Sequence, residues 1–221
     1  IYIVCQMHIS QNTGIVVLNI DDECLDFFSL QGEDFGQARF PECILIDDNE
    51  ILYISDSALH RITLLSNRAE YISHWGEFGS GEGQLNRPSG MSFDSEGYIY
   101  ISDTMNHRVQ KFTKDGEFIK VIGKYGFKDG EMNMPFGIKI DELDNLYVAD
   151  WRNDRIQKFD PAGKFVFSIG KSGDGLGEFN RPSGVDVDLD GDIYVADTMN
   201  NRVQLFNEKG KYVQRFLGDA T

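Results

Sequence analysis

The sequence predicts an all-β fold, a β-propeller of four-stranded antiparallel blades, on two observations. The first is a period that does not drift. Pro41, Pro88, Pro135 and Pro182 recur every 47 residues, as do Asp56, Asp103, Asp150 and Asp197, and Arg61, Arg108, Arg155 and Arg202. Self-similarity at roughly 40–50 residues marks a propeller, solenoid or array. The second is the content of each period: short alternating runs separated by turn residues, which reads as an antiparallel meander.

Repeat 80–126 shows the elements in order. GMSFD (90–94) is a half-apolar run and SEG (95–97) a turn. YIYIS (98–102) is rich in β-formers, DTMNH (103–107) is a polar loop, and RVQKF (108–112) alternates again. TKDG (113–116) contains Asp-Gly, a strong hairpin signal, and EFIKVIG (117–123) is the fourth run. Both faces of such a sheet are expected to pack on neighbouring blades around a central channel. Long Gly-rich connections, as in 123–137 and 170–184, lead to the next inner strand, which a proline opens where a missing N–H is tolerable. Gly90, Gly137 and Gly184 follow two residues later, where blades converge and a residue without Cβ admits a close backbone. Cys43 breaks that pattern. The expected organisation is one domain over 1–221, with a partial blade at 1–32 and full blades at 33–79, 80–126, 127–173 and 174–221.

Composition bounds the rest. Of 221 residues 41% are hydrophobic and 12% aromatic, enough for a packed core. No apolar run approaches the roughly 18 residues of a membrane helix. A net charge of −15 argues against nucleic acid, whose phosphates draw on a basic surface. Cys5, Cys24 and Cys43 form neither a disulfide framework nor a zinc motif. They read as buried small hydrophobes, with a Cys5–Cys24 bridge as the alternative. The chain opens at Ile1 inside a repeat, so a fragment of a longer protein is expected and the compartment stays open.

Segments 81–118, 131–165 and 175–216 resemble NHL repeats, and 38–65 is a degenerate copy in register. The resemblance covers four full repeats and a broken one, essentially the whole chain. It implies a ring that is usually six-bladed, and places the Asp-x-x-x-x-Arg pairs in the loop between strands two and three. Such a ring would exceed this chain, and an open ring would leave strand edges free for self-association.

The pairs Asp56/Arg61, Asp103/Arg108, Asp150/Arg155 and Asp197/Arg202 read as structural staples, because catalysis rarely needs one pair four times. Asp can accept loop N–H groups and Arg can fork onto it. His60 and His107 hold equivalent places in neighbouring blades, too far apart on strand spacing to share a metal. His74 falls on a fourth strand and His8 in the irregular start. GKS (170–172) lacks the P-loop's upstream glycine, where Phe165 stands, and no helix follows. Asp186, Asp188, Asp190, Gly191 and Asp192 imitate a calcium loop without its flanking helices. No G-x-S-x-G elbow is present. The reading therefore has no catalytic residue, no metal and no cofactor.

Function is expected where the copies differ. The turns after the inner strands, 47–50, 94–97, 141–145 and 188–192, hold eleven acids and no Lys or Arg, and should form one anionic face. The opposite face carries the connections and the strand two–three loops. Around its channel mouth should lie Arg87, Ser89, Phe136, Arg181 and Ser183, with Met105, Trp151, Arg152 and Met199 further out. Trp151 stands where sister repeats have Ser57, Thr104 and Thr198, so the fold does not demand it. Trp, Met and Arg are types enriched in interfaces. The expectation is a non-catalytic scaffold binding a protein or peptide, with a glycan a lesser option and nucleic acid disfavoured. The alternatives are a propeller lyase or lactonase-like hydrolase with a channel metal, and an RNA-binding NHL domain. The inner strands contain no His, and Asp186 is their only mid-strand acid.

Overall fold

A computed structural model describes residues 1–7, 12–21 and 23–217. Five antiparallel sheets follow one another along the chain. Sheet I has three strands, β1 (Tyr2–Met7), β2 (Asn12–Leu18) and β3 (Cys24–Ser29). Sheet II is β4 (Pro41–Ile46), β5 (Leu52–Asp56), β6 (Arg61–Leu65) and β7 (Tyr71–Trp75). Sheet III is β8 (Pro88–Phe93), β9 (Ile99–Asp103), β10 (Arg108–Phe112) and β11 (Phe118–Ile122). Sheet IV is β12 (Pro135–Ile140), β13 (Leu146–Asp150), β14 (Arg155–Phe159) and β15 (Phe165–Ile169). Sheet V is β16 (Pro182–Val187), β17 (Ile193–Asp197), β18 (Arg202–Phe206) and β19 (Tyr212–Leu217). The molecule is thus an all-β propeller arc of four-stranded blades with a three-stranded first sheet. Among the described residues no helix is long and apolar enough to cross a membrane. His8 lies outside the described residues.

The inner strands β4, β8, β12 and β16 pack side by side in that order, and β1, which the 47-residue register aligns with β5, packs on β4. Glycine makes this approach possible. A Cβ on Gly90 would stand 2.5 Å from the Phe136 carbonyl, and one on Gly137 2.6 Å from the Ser183 carbonyl. Between the sheets sit apolar layers, for instance Tyr147, Ile156, Phe179, Val185, Ile193 and Phe206 between IV and V. Every residue of β5, β9 and β13 is buried, because both faces of those sheets are covered. In β17 burial alternates, and Val203, Val213 and Phe216 are exposed. Sheet V is therefore covered on one face only, in contrast to the two covered faces expected of a blade.

The turns after the inner strands close through one aspartate each. Asp94 Oδ1 accepts from the N–H groups of Glu96 and Tyr98, and Asp47, Asp141 and Asp188 repeat the arrangement. Such Asx turns explain why these positions are acidic without invoking a ligand. Cys24 is exposed, which corrects the expectation of burial for it, whereas Cys43 is half-buried. The Cys5 side chain, and with it a Cys5–Cys24 bridge, lies outside what the structure describes.

Candidate binding face

The Asp-x-x-x-x-Arg loops all emerge at the end of the arc where the inner strands begin. In sheet III, Asp103 is fully buried and its carboxylate accepts from Asn86 N (2.6 Å), Asn106 Nδ2 (2.9 Å), Arg108 Nε (2.8 Å) and Gln110 Nε2 (3.0 Å). Asp150 receives the same four groups from Asn133, Asn153, Arg155 and Gln157, and Asp197 from Asn180, Asn200, Arg202 and Gln204. The arginines also fork onto carbonyls of the incoming connection: Arg155 Nη2 donates to Lys128 O and Glu131 O. Each network ties a hairpin loop to the strap that enters its sheet. The Asn and Gln members recur at the same period as the Asp and Arg, a signal that reading only the charged pair misses.

Sheet II departs from the expected pairing. Asp56 accepts four backbone N–H groups, from Arg39, Phe40, Ala58 and Leu59, and makes no ion pair with Arg61. Arg61 reaches the carbonyls of Asp34 and Gln37, and its buried Nε has no partner. Leu59 and Thr63 stand where the other sheets have Asn and Gln, so this pair lacks the amides that complete the network.

A second link joins each sheet to the next. His60, His107 and Asp154 have left-handed backbones, as do Arg87, Met134 and Arg181 just before the inner-strand prolines. Arg87 N donates to His60 Nδ1 (3.0 Å), Met134 N to His107 Nδ1 (3.0 Å) and Arg181 N to Asp154 Oδ1 (2.8 Å). The two histidines are thus acceptors between blades. Burial holds both below the usual imidazole range, which keeps the ring neutral and able to accept. Among the described residues no three His, Cys, Asp or Glu side chains come together as a metal would need.

Trp151 opens a 3-10 turn, Trp151–Asn153, between Asp150 and Asp154. Two guanidinium groups lie against its half-buried ring, Arg181 at 4.5 Å and Arg152 at 5.6 Å from the ring centre. Arg87 and Arg152 are exposed, and Phe136 and Ser183 half-buried. Ser183 Oγ is hydrogen-bonded to Thr198 Oγ1. Ser89 is corrected as a contact residue. It is 1% exposed, and its hydroxyl bonds Thr104 Oγ1 and the Phe136 carbonyl, so it serves the seam between sheets III and IV. Met105 and Met199 are exposed.

The connections add aromatics that the sequence reading missed. Phe78 (66% exposed) packs on His60, Tyr125 (57%) on His107, and Phe127 (66%) edge-on to Tyr125. Gln31 and Ser172 hold the places of Phe78 and Tyr125 in sister repeats, so the frame does not need aromatic rings there.

The opposite face is less anionic than its turns suggest. Lys114 pairs with Asp47 (3.0 Å), Lys111 with Asp94 (2.7 Å) and Lys158 with Asp141 (3.6 Å), all supplied from the third strand or the turn after it. Open cavities on it include one of about 520 Å³ between sheets II and III and two, of about 300 and 220 Å³, between sheets IV and V. On the inner strands Lys139 pairs with Asp186 at 2.7 Å.

These features define a β-propeller with one aromatic, arginine-bearing face. The NHL repeat model matches residues 85–112, and a family described as a 6-bladed beta-propeller matches residues 135–215. Both matches are to parts of a β-propeller, and the structure has five sheets where the second family has six blades. No curated protein matches the sequence. Among solved structures it is similar to virginiamycin B lyase from Staphylococcus aureus, in its inactive H270A form with quinupristin. The identity is 14% and the TM-score 0.67, over 95% of this chain and 64% of that one. It is also similar to a protein of unknown function from Bacteroides caccae (15%, TM-score 0.69, 99% and 73% covered). Hydrazine synthase from Kuenenia stuttgartiensis is a third (18%, TM-score 0.61, 83% and 51%). At such identities the likeness is one of fold.

Proposed function

We propose that the chain is a binding scaffold that captures a protein or peptide on the face formed by the connections and the strand two–three loops. One observation carries this reading. Trp151, Phe78, Tyr125 and Phe127 place large ring surface on that face at positions where at least two of the four repeats do without it. Rigid aromatics lose little entropy on contact, and aromatics and arginines are the types that dominate interface energetics. The hydrogen-bonded straps beneath them supply the stiffness. The test is peptide capture by the full chain against a variant carrying Phe78→Ala, Tyr125→Ala and Trp151→Ala. At least a ten-fold loss is expected, and unchanged capture would remove this face from consideration.

A second reading, a propeller lyase or hydrolase, draws on the Lys139–Asp186 pair, the one charged pair between neighbouring inner strands among the described residues. Turnover abolished by Asp186→Asn with the melting temperature unchanged would favour it over the scaffold.

A further inference from the structure

Resting on the scaffold reading, we infer that Arg181 and Arg152, both lying against the Trp151 ring, form a clamp for a carboxylate of the captured peptide. Arg181 is held at three points. Its N–H is fixed by Asp154, Pro182 follows it, and its guanidinium lies on the Trp151 ring. Yet its buried Nη1 has no acceptor among the described residues. A buried cationic donor without an acceptor is costly, and the group that best relieves it is an anionic oxygen. Arg152 likewise has no carboxylate partner, a state it shares with Arg61, Arg68, Arg87 and Arg215 among the described residues, whereas Arg39, Arg108, Arg155 and Arg202 are each paired with one. An acidic chain thus leaves two cations uncompensated around one aromatic ring.

The planar fork of a guanidinium matches a carboxylate through two parallel bonds, and the indole holds the fork in plane. The protein's own charge of −15 selects among anions. A single carboxylate meets that field once, while a phosphate dianion or a nucleic acid strand meets it several times. The sister seams make the site local. Between sheets II and III an arginine, Arg87, precedes the proline but Ser57 replaces the tryptophan, and between III and IV the residues are Met134 and Thr104.

The experiment is selection of random display peptides against the full chain, once with free and once with amidated C-termini. Binders are then measured on Trp151→Ala, on Arg152→Ala with Arg181→Ala, and on Arg181→Lys. The expected result is binders that need Trp151, carry an acidic side chain or a free C-terminus, and weaken at least ten-fold when that carboxylate becomes an amide. The double arginine variant should weaken them equally, and Arg181→Lys, which keeps charge and fold but not the fork, by an intermediate factor. Enrichment in only one display format tells a C-terminal carboxylate from an acidic side chain. Binders that need Trp151 but are indifferent to both carboxylate and arginine would overturn the clamp and leave the face intact. Binders indifferent to Trp151 would overturn both. Displacement by inorganic phosphate at constant ionic strength would overturn the choice of carboxylate.

Discussion

The seams between sheets III and IV and between sheets IV and V are built on one template, and only what they expose differs. In both, a buried Asp gathers Asn, Arg and Gln, and a left-handed loop residue accepts the N–H before a proline. In the first seam the loop residue after the Asp is Thr104, buried, with its hydroxyl on the Pro135 carbonyl at 2.8 Å. In the second it is Trp151, which turns outward and meets two arginines. The frame is satisfied by groups that do not include the ring. The comparison teaches that the repeat separates its structural work from its surface, so a surface group can change at one blade without disturbing the link below.

The comparison can be broken most severely at the shared network. Asp150→Ala strands Arg155, Asn153, Gln157 and the Asn133 N–H in a buried site and should cost about 3–5 kcal/mol. Asp103→Ala should cost the same, since both seams have all four partners, and chemical denaturation measures both. A smaller loss, about 1–3 kcal/mol, is expected for Gly137→Ala, whose methyl would press on the backbone of β16.

Acid should tell the two seams apart. His107 is depressed by burial, so the native state takes up its proton less readily than the unfolded chain. Its contribution is intact above the ordinary imidazole range near pH 6.5 and is lost as pH falls through the lower folded value. Asp150 and Asp103 oppose that depression and Arg152 adds to it. His107→Asn should flatten the melting curve between roughly pH 7 and 5, and a slope left unchanged would deny the histidine its place as acceptor. The smallest effect is expected of Trp151→Thr, which makes the second seam resemble the first. Its melting midpoint should correspond to a change within about 0.5 kcal/mol, while the face loses its anchor.

The blade order was legible because turn chemistry and proline mark every strand, and because Asp and Arg recur without a gap. The seam between sheets IV and V was half legible. Trp151 stood out against Ser57, Thr104 and Thr198, but nothing in the spacing shows that Arg181, thirty residues on, would lie against its ring. Ser89 was misjudged because a small polar residue beside a proline looks solvent-facing, whereas the neighbouring inner strand covers it. Asp56 and Arg61 match their sisters letter for letter and still fail to pair, since the outcome depends on the amides at 59 and 63. The lysines that offset the acidic turns lie on other strands, so a count confined to the turns could not include them.

Gly184 carries a consequence of its own. Its sisters Gly90 and Gly137 are pinned by the strand beyond them, but a methyl at 184 would meet only the Ala196 side chain at 3.5 Å. Alanine there should be tolerated by the arc as it stands, with about 0.4–1 kcal/mol gained from a less flexible unfolded chain. The same substitution would be rejected by any blade seated against β16. A single methyl group is thus a feeler gauge for the far side of sheet V, reporting by its welcome or refusal whether that face is free or occupied.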